Sequence, residues 1–550
     1  MEYYDLGAYI RAVTTKSPDT QLWFDRGLNW LFAFNHEEAM KCFGRALETD
    51  PGCAMAHWGI AYAAGPNYNL PWHRYDPGGK ARALGTAYVA MQNALKHASR
   101  ATPVEQALIQ ALTARYPQRV AIEDQSGWDR AFTHEMRKVF GSFQNDLEVR
   151  CVFVDAIMVE TPWQMWDITT GGIAKDAGTA EAVELLESAF RDLPDAWSHP
   201  GLLHLYVHLM EMSPFPQKAL RAGDQLRDLV PDAGHLIHMP THIDVLCGNY
   251  QAVVERNHAA ILADRDYVRR QGVFNFYAGY RAHDHHFKVY GAMFLCQYKP
   301  AIEAAEELIA TIPRALLETG SPPMADWLEA YVPMKQHVLI RFGRWPEILD
   351  QPLPDDPQLY CVTTALMHYA RAVAFAATGR VPEAEKEREA FLAARDRVPE
   401  TRKLFNNTCR AIMAIAEEML MGELEYRRGH VDKAFDHLRR SVELDDHLPY
   451  DEPWGWMQPT RHALGALLLE QGRVEEAEAV YRADLGLDDT LRRPSQHPDN
   501  VWSLHGLHEC LKRRGEKVEA VWVRQRLDLA AARADVPIRA SCYCRMQHAA

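Results

Sequence analysis

No stretch of this 550-residue chain stays apolar for the length that a bilayer crossing needs. Cysteine is sparse and scattered, ten residues in all with only Cys542 and Cys544 close together. That usage argues against a disulfide-built fold and predicts reduced thiols. The phosphate-cradling patterns GxGxxG and GxxxxGK[ST] are missing, as are the GxSxG elbow and the HExxH zinc-protease pair. Nucleotide chemistry, serine hydrolysis and that form of proteolysis therefore have no support. An excess of positive charge is missing too: the formal net charge of −14 argues against nucleic acid or an anionic membrane surface as the main partner. Alternating strand patterns rich in β-branched residues are nearly absent. The opening "MEYYDLGAYIRAV" lacks a basic segment followed by an apolar run, so it predicts no signal peptide and, with the scattered thiols, a cytoplasmic protein.

What is present is helical pattern in repeating units. Residues 21–54 read "QLWFDRGLNWLFAFNHEEAMKCFGRALETDPGCA". Gly27, Ala39 and Ala46 let two antiparallel helices approach, Trp23, Trp30 and Phe43 fill the space between them, and Pro51 ends the second helix. Looser copies of a turn plus second helix recur at 213–231, 248–264, 296–313, 378–394, 427–445, 471–485 and 513–527. This pattern resembles the tetratricopeptide repeat family, densely at both ends of the chain and weakly from about residue 70 to 200. The resemblance implies an all-α, tetratricopeptide-like α-solenoid of antiparallel helix pairs, interrupted by long Trp/Pro-rich loops such as 65–80, 160–172, 318–327, 448–459 and 491–502. The expected segments are N-terminal repeats over 1–68, a helical insert with irregular loops over 69–200, His-rich repeats over 201–315, C-terminal repeats over 316–530 and a tail over 531–550.

Histidine is the unusual residue. The segment 204–286 holds nine of the chain's 25, more than twice what even spreading would place there. In "GLLHLYVHLMEMSP", His204, His208 and Glu211 fall on one stripe of a helix that is otherwise apolar nearly all the way round. In "HLIHMPTHIDVL", His235, His238 and His242 share a stripe about 60° wide if the segment is one helix. In "RAHDHHFKVY", His283, His286 and Tyr290 do likewise. Each group precedes a turn and second helix. The resemblance thus makes each the first helix of a repeat, and in that family first helices line the concave face.

Imidazoles spaced i, i+4 present two nitrogens to one ion, with a carboxylate nearby as ligand or base. Eight candidate ligands, His204, His208, Glu211, His235, His238, His242, His283 and His286, suit one or two transition-metal ions. Histidine dominance favours copper or iron, with zinc as the further option. The expectation that follows is an oxidase or oxygenase acting on a small molecule, with Glu211 as base and Tyr290 orienting a bound species. Two alternatives compete with it: a non-catalytic scaffold binding a peptide or protein in its concave groove, and a zinc-dependent hydrolase. Cys542 and Cys544 form a further soft-metal candidate. Neither substrate nor oligomeric state is legible.

Overall fold

A computed structural model describes residues 3–545 of the chain. It is all-α and built from helix hairpins. Among the described residues the only strands are two-residue pairs, Trp166–Asp167 with Gly172–Ile173 and Lys403–Leu404 with Asn407–Thr408. No described helix is long and apolar enough to cross a membrane. The chain divides into two compact units, Met1–Ile243 with Ala259–Tyr277, and Asp244–His258 with Ala278–Ala550.

The first unit opens with helices Pro18–Phe32, His36–Thr49 and Ala54–Ala64. Their starts are written locally. Ser17 accepts the Thr20 amide ahead of Pro18, and Asn35 accepts the Glu38 amide, so orphan first-turn donors are satisfied. Their packing turns on Phe43, which is fully buried. A methyl group at Gly27 would meet its ring at 2.6 Å and one at Gly59 at 2.8 Å, so the second helix drives one aromatic wedge between two first helices that must both be bare there. The segment 69–200, where repeats are hard to read, still supplies helices such as Pro77–His97, Ser126–Ser142 and Leu147–Glu160.

The second unit repeats the same device. Gly465 and Gly506 both abut the ring of buried Tyr481 from helices Thr460–Glu470 and Val501–Arg514, and Gly422 abuts Leu438. The Trp-rich loop 448–459 packs inward, with Trp454 and Trp456 buried and the Trp454 indole donating to Asp445 at 3.0 Å. Cys542 and Cys544 depart from the expectation of reduced thiols. They are joined in a disulfide across a Cα separation of 5.2 Å, within the roughly 4.4–6.8 Å that such a bond spans, so neither sulfur is a free metal ligand. The other eight cysteines are free thiols.

Candidate metal centre

Helix Pro200–Glu211 is started by His199, whose Nδ1 accepts the Leu202 amide at 3.1 Å while its Nε2–H donates to Glu148 at 3.0 Å. Every residue of this helix is buried, as its apolar circumference requires. His204, His208 and Glu211 lie on its common stripe. The second histidine group departs from the expected single helix. Pro240 has no amide hydrogen to continue the ladder, so the segment breaks into Gly234–His238 and Pro240–Leu246, and Thr241 Oγ1 takes up the His238 carbonyl at 2.7 Å.

One ring nitrogen each of His204, His208 and His235 lies within 4.8 Å of the other two, and all three residues are buried. The hydrogen bonds behind the rings settle which nitrogens are presented. His204 Nδ1–H donates to the Phe32 carbonyl at 2.6 Å, and His208 Nδ1–H donates to Glu211 Oε1 at 2.9 Å. Each ring therefore turns a bare Nε2 inward, and neither Nε2 has a hydrogen-bond partner. A backbone carbonyl or carboxylate holding the rear nitrogen is the usual support of a metal-ligating histidine. The Phe34 ring covers the trio, with its centroid 4.4, 5.8 and 5.7 Å from those of His204, His208 and His235. Tyr68 closes on His208 at 4.9 Å.

Burial lowers the pKa of His204 to about 3, against the upward pull of the Phe32 carbonyl, and the neighbouring imidazoles of His238 and His36 lower it a little further. His208 and His235 are held well below their ordinary value for the same leading reason. Three neutral imidazoles at neutral pH are ready to ligate without first losing protons.

His242 completes this side of the unit. Its Nδ1–H donates to Glu211 Oε2 at 2.5 Å and its Nε2 faces His238 Nε2 at 2.8 Å. Glu211, expected as ligand or base, thus has one oxygen behind His208 and the other behind His242. A cavity of about 30 Å3 adjoins the trio, lined by Phe32, Phe34, Trp58, Tyr62, Asp155 and His204. It has room for about two waters. Tyr62 donates to Asp155 inside it, and burial raises the Asp155 pKa.

The third predicted group stands in the second unit on helix Ala278–Phe294, where His283, His286 and Tyr290 are all buried. His286 Nε2 lies 2.9 Å from the Met457 sulfur. The Tyr290 hydroxyl donates to His497 Nε2 at 3.0 Å, so it is the end of a chain and not a free group. His497 Nδ1–H donates to Asp484 at 2.8 Å, and His462, Asn500 and Ser503 bond the same carboxylate. Burial would raise the Asp484 pKa, yet His462 and His497 hold it well below the usual carboxylate range. Reading the sequence alone missed His497, Phe34 and the Phe32 carbonyl. Only the turn "FAFNH" marks the last two, as a hairpin turn of the best-matching repeat.

Comparison with known proteins adds a distant likeness. No family model matches the chain, and no curated protein does. Among solved structures, a human IFIT1 dimer with m7Gppp-AAAA is similar at 12% identity and a TM-score of 0.32, covering 94% of this chain and 92% of that one. The APC/C hetero-tetramer Cut9–Hcn1 is similar at 11% identity and a TM-score of 0.29, covering 93% and 87%.

Proposed function

We propose that this chain is a helical-repeat scaffold protein that carries a transition-metal ion on His204, His208 and His235. The observation that supports it is the pair of buried Nε2 atoms of His204 and His208, bare and unpartnered while the rear nitrogens are held by the Phe32 carbonyl and Glu211. A buried polar atom left unpaired costs about 1–3 kcal/mol, a penalty that an ion at the focus of the three rings would remove. Three imidazoles leave a tetrahedral ion one open position, which suits copper, iron or zinc. The same burial argues against a peptide lying across these histidines, because their edges are not offered to solvent.

The narrower reading is oxidation of a small molecule at the ion, with zinc-dependent hydrolysis as its rival. A second reading is a non-catalytic scaffold that docks a peptide or protein. It is favoured by helix Lys517–Ala530, which leaves Val518, Val521, Trp522 and Leu529 between 65% and 77% exposed. Elemental analysis of untagged protein beside a His204→Leu/His208→Leu variant tests the centre. About one equivalent or more of copper, iron or zinc in the parent, lost in the variant, is the expected result. A parent that stays free of metal after reconstitution sinks the centre and leaves the docking scaffold. Oxygen consumption by the loaded protein, absent from the variant, separates the oxidative reading from both rivals.

A further inference from the structure

We infer that the first unit holds a second ion, on His238 and His242, tied to the three-histidine centre through Glu211; this rests on the reading of that centre given above. His242 donates its Nδ1 hydrogen to Glu211 Oε2, so its Nε2 carries a lone pair, which accepts the His238 Nε2 hydrogen at 2.8 Å, the proton that an ion would displace. Two nitrogens bound cis to one metal at bond lengths of about 2.0 Å and an angle near 90° are also about 2.8 Å apart. The rings stand at 81° to one another with centroids 4.8 Å apart. That centroid separation equals the 4.8 Å of His204 and His208, whose rings stand at 41° on an unbroken helix.

Glu211 is the link. It is wholly buried, and its two oxygens take the rear nitrogens of one ligand from each site, His208 and His242. One carboxylate thereby fixes two tautomers, aims two Nε2 atoms and places one negative charge behind both ions. The two sites are immediate neighbours: ring centroids are 5.7 Å apart for His208 and His242, and 5.8 Å for His235 and His238. Two neighbouring ions held by these residues would supply Lewis-acid chemistry toward a small oxygen donor. Glu211 is a positioning residue in this arrangement, not a ligand.

The test is titration of the full-length, EDTA-stripped chain with cobalt(II), following visible absorption and counting bound cobalt after gel filtration. The unaltered chain is expected to bind two cobalt ions, and His238→Ala/His242→Ala to bind one. Glu211→Gln offers a single carbonyl oxygen where two acceptors are needed. At least one site should weaken by about 10–100-fold, the usual loss when an outer partner is removed. A single cobalt in the unaltered chain overturns the second site and leaves the first standing, whereas no cobalt at all overturns both. Two cobalt ions retained by the His238/His242 variant overturn the assignment of ligands. Undiminished affinity at both sites in Glu211→Gln overturns the link. The count on the unaltered chain does not depend on any variant folding.

Discussion

Replacing His204 by leucine separates the centre's contribution as a ligand from its contribution as packing. In the metal-free protein two changes oppose each other. The Nδ1 bond to the Phe32 carbonyl is lost, which leaves that carbonyl unpaired at a cost of about 1–3 kcal/mol, and the buried unpaired Nε2 is removed, a relief of similar size. The apolar replacement also keeps contact with the Phe34 ring 4.4 Å away. The stripped variant should therefore melt within a few degrees of the stripped parent. With zinc at a hundred times its dissociation constant, an ion that binds only the folded parent adds about 2.7 kcal/mol. At about 2–4 °C per kcal/mol for a unit of this size, the parent's melting temperature should rise by roughly 5–10 °C. The variant, short of one ligand, should lose the three-histidine centre's share of that rise at the same zinc concentration and keep only what the His238/His242 site adds. Scanning calorimetry of stripped protein, with and without zinc, reads both numbers. A zinc-induced rise as large in the variant as in the parent refutes the assignment of His204.

Three further outcomes follow from the packing. Phe43→Ala removes the wedge between Gly27 and Gly59 and should cost about 3–5 kcal/mol in urea unfolding; a loss under 1 kcal/mol would mean the hairpin closes without it. Asp484→Ala strips the acceptor shared by His462, His497, Asn500 and Ser503, and should cost about 3–5 kcal/mol, against a near-neutral outcome if that network is incidental. Burial lowers the pKa of His337 and of His462 to about 4, so below an ordinary value of about 6.5 the unfolded chain binds protons that the folded chain does not. Stability should fall as pH drops from about 6.5 to 4, and go on falling below that because His204 is held lower still, as read by urea midpoints at successive pH values; an unchanged midpoint across that range refutes it.

The first hairpin was legible because it rests on local chemistry: capping side chains at Ser17 and Asn35, a bare Gly27 and the bulky Phe43 at the matching turn of the next helix. His204, His208 and Glu211 were legible for the same reason, since their spacing on one uninterrupted helix fixes a shared stripe. The geometry of His238 and His242 was not. The proline between them was visible, but the break it causes and the angle between the two rings depend on what packs around them. Phe34 was further out of reach. Nothing in "FAFNH" says that its ring lies over three histidines supplied from beyond residue 200, and Tyr290 gives no sign in the sequence of its bond to His497.

The bond from His204 to the Phe32 carbonyl joins residues 172 positions apart. During synthesis the first hairpin can form and wait, its turn already held with Phe34 in the left-handed region at φ +54°, long before any ligand has been made. The ligands then arrive in two instalments, from the helix ending at Glu211 and from the two short helices that follow. A nascent chain stopped before the second instalment has hairpins but no site. If the centre proposed above takes an ion, loading would be a late event in the life of the chain, a check that the first unit has closed on itself correctly.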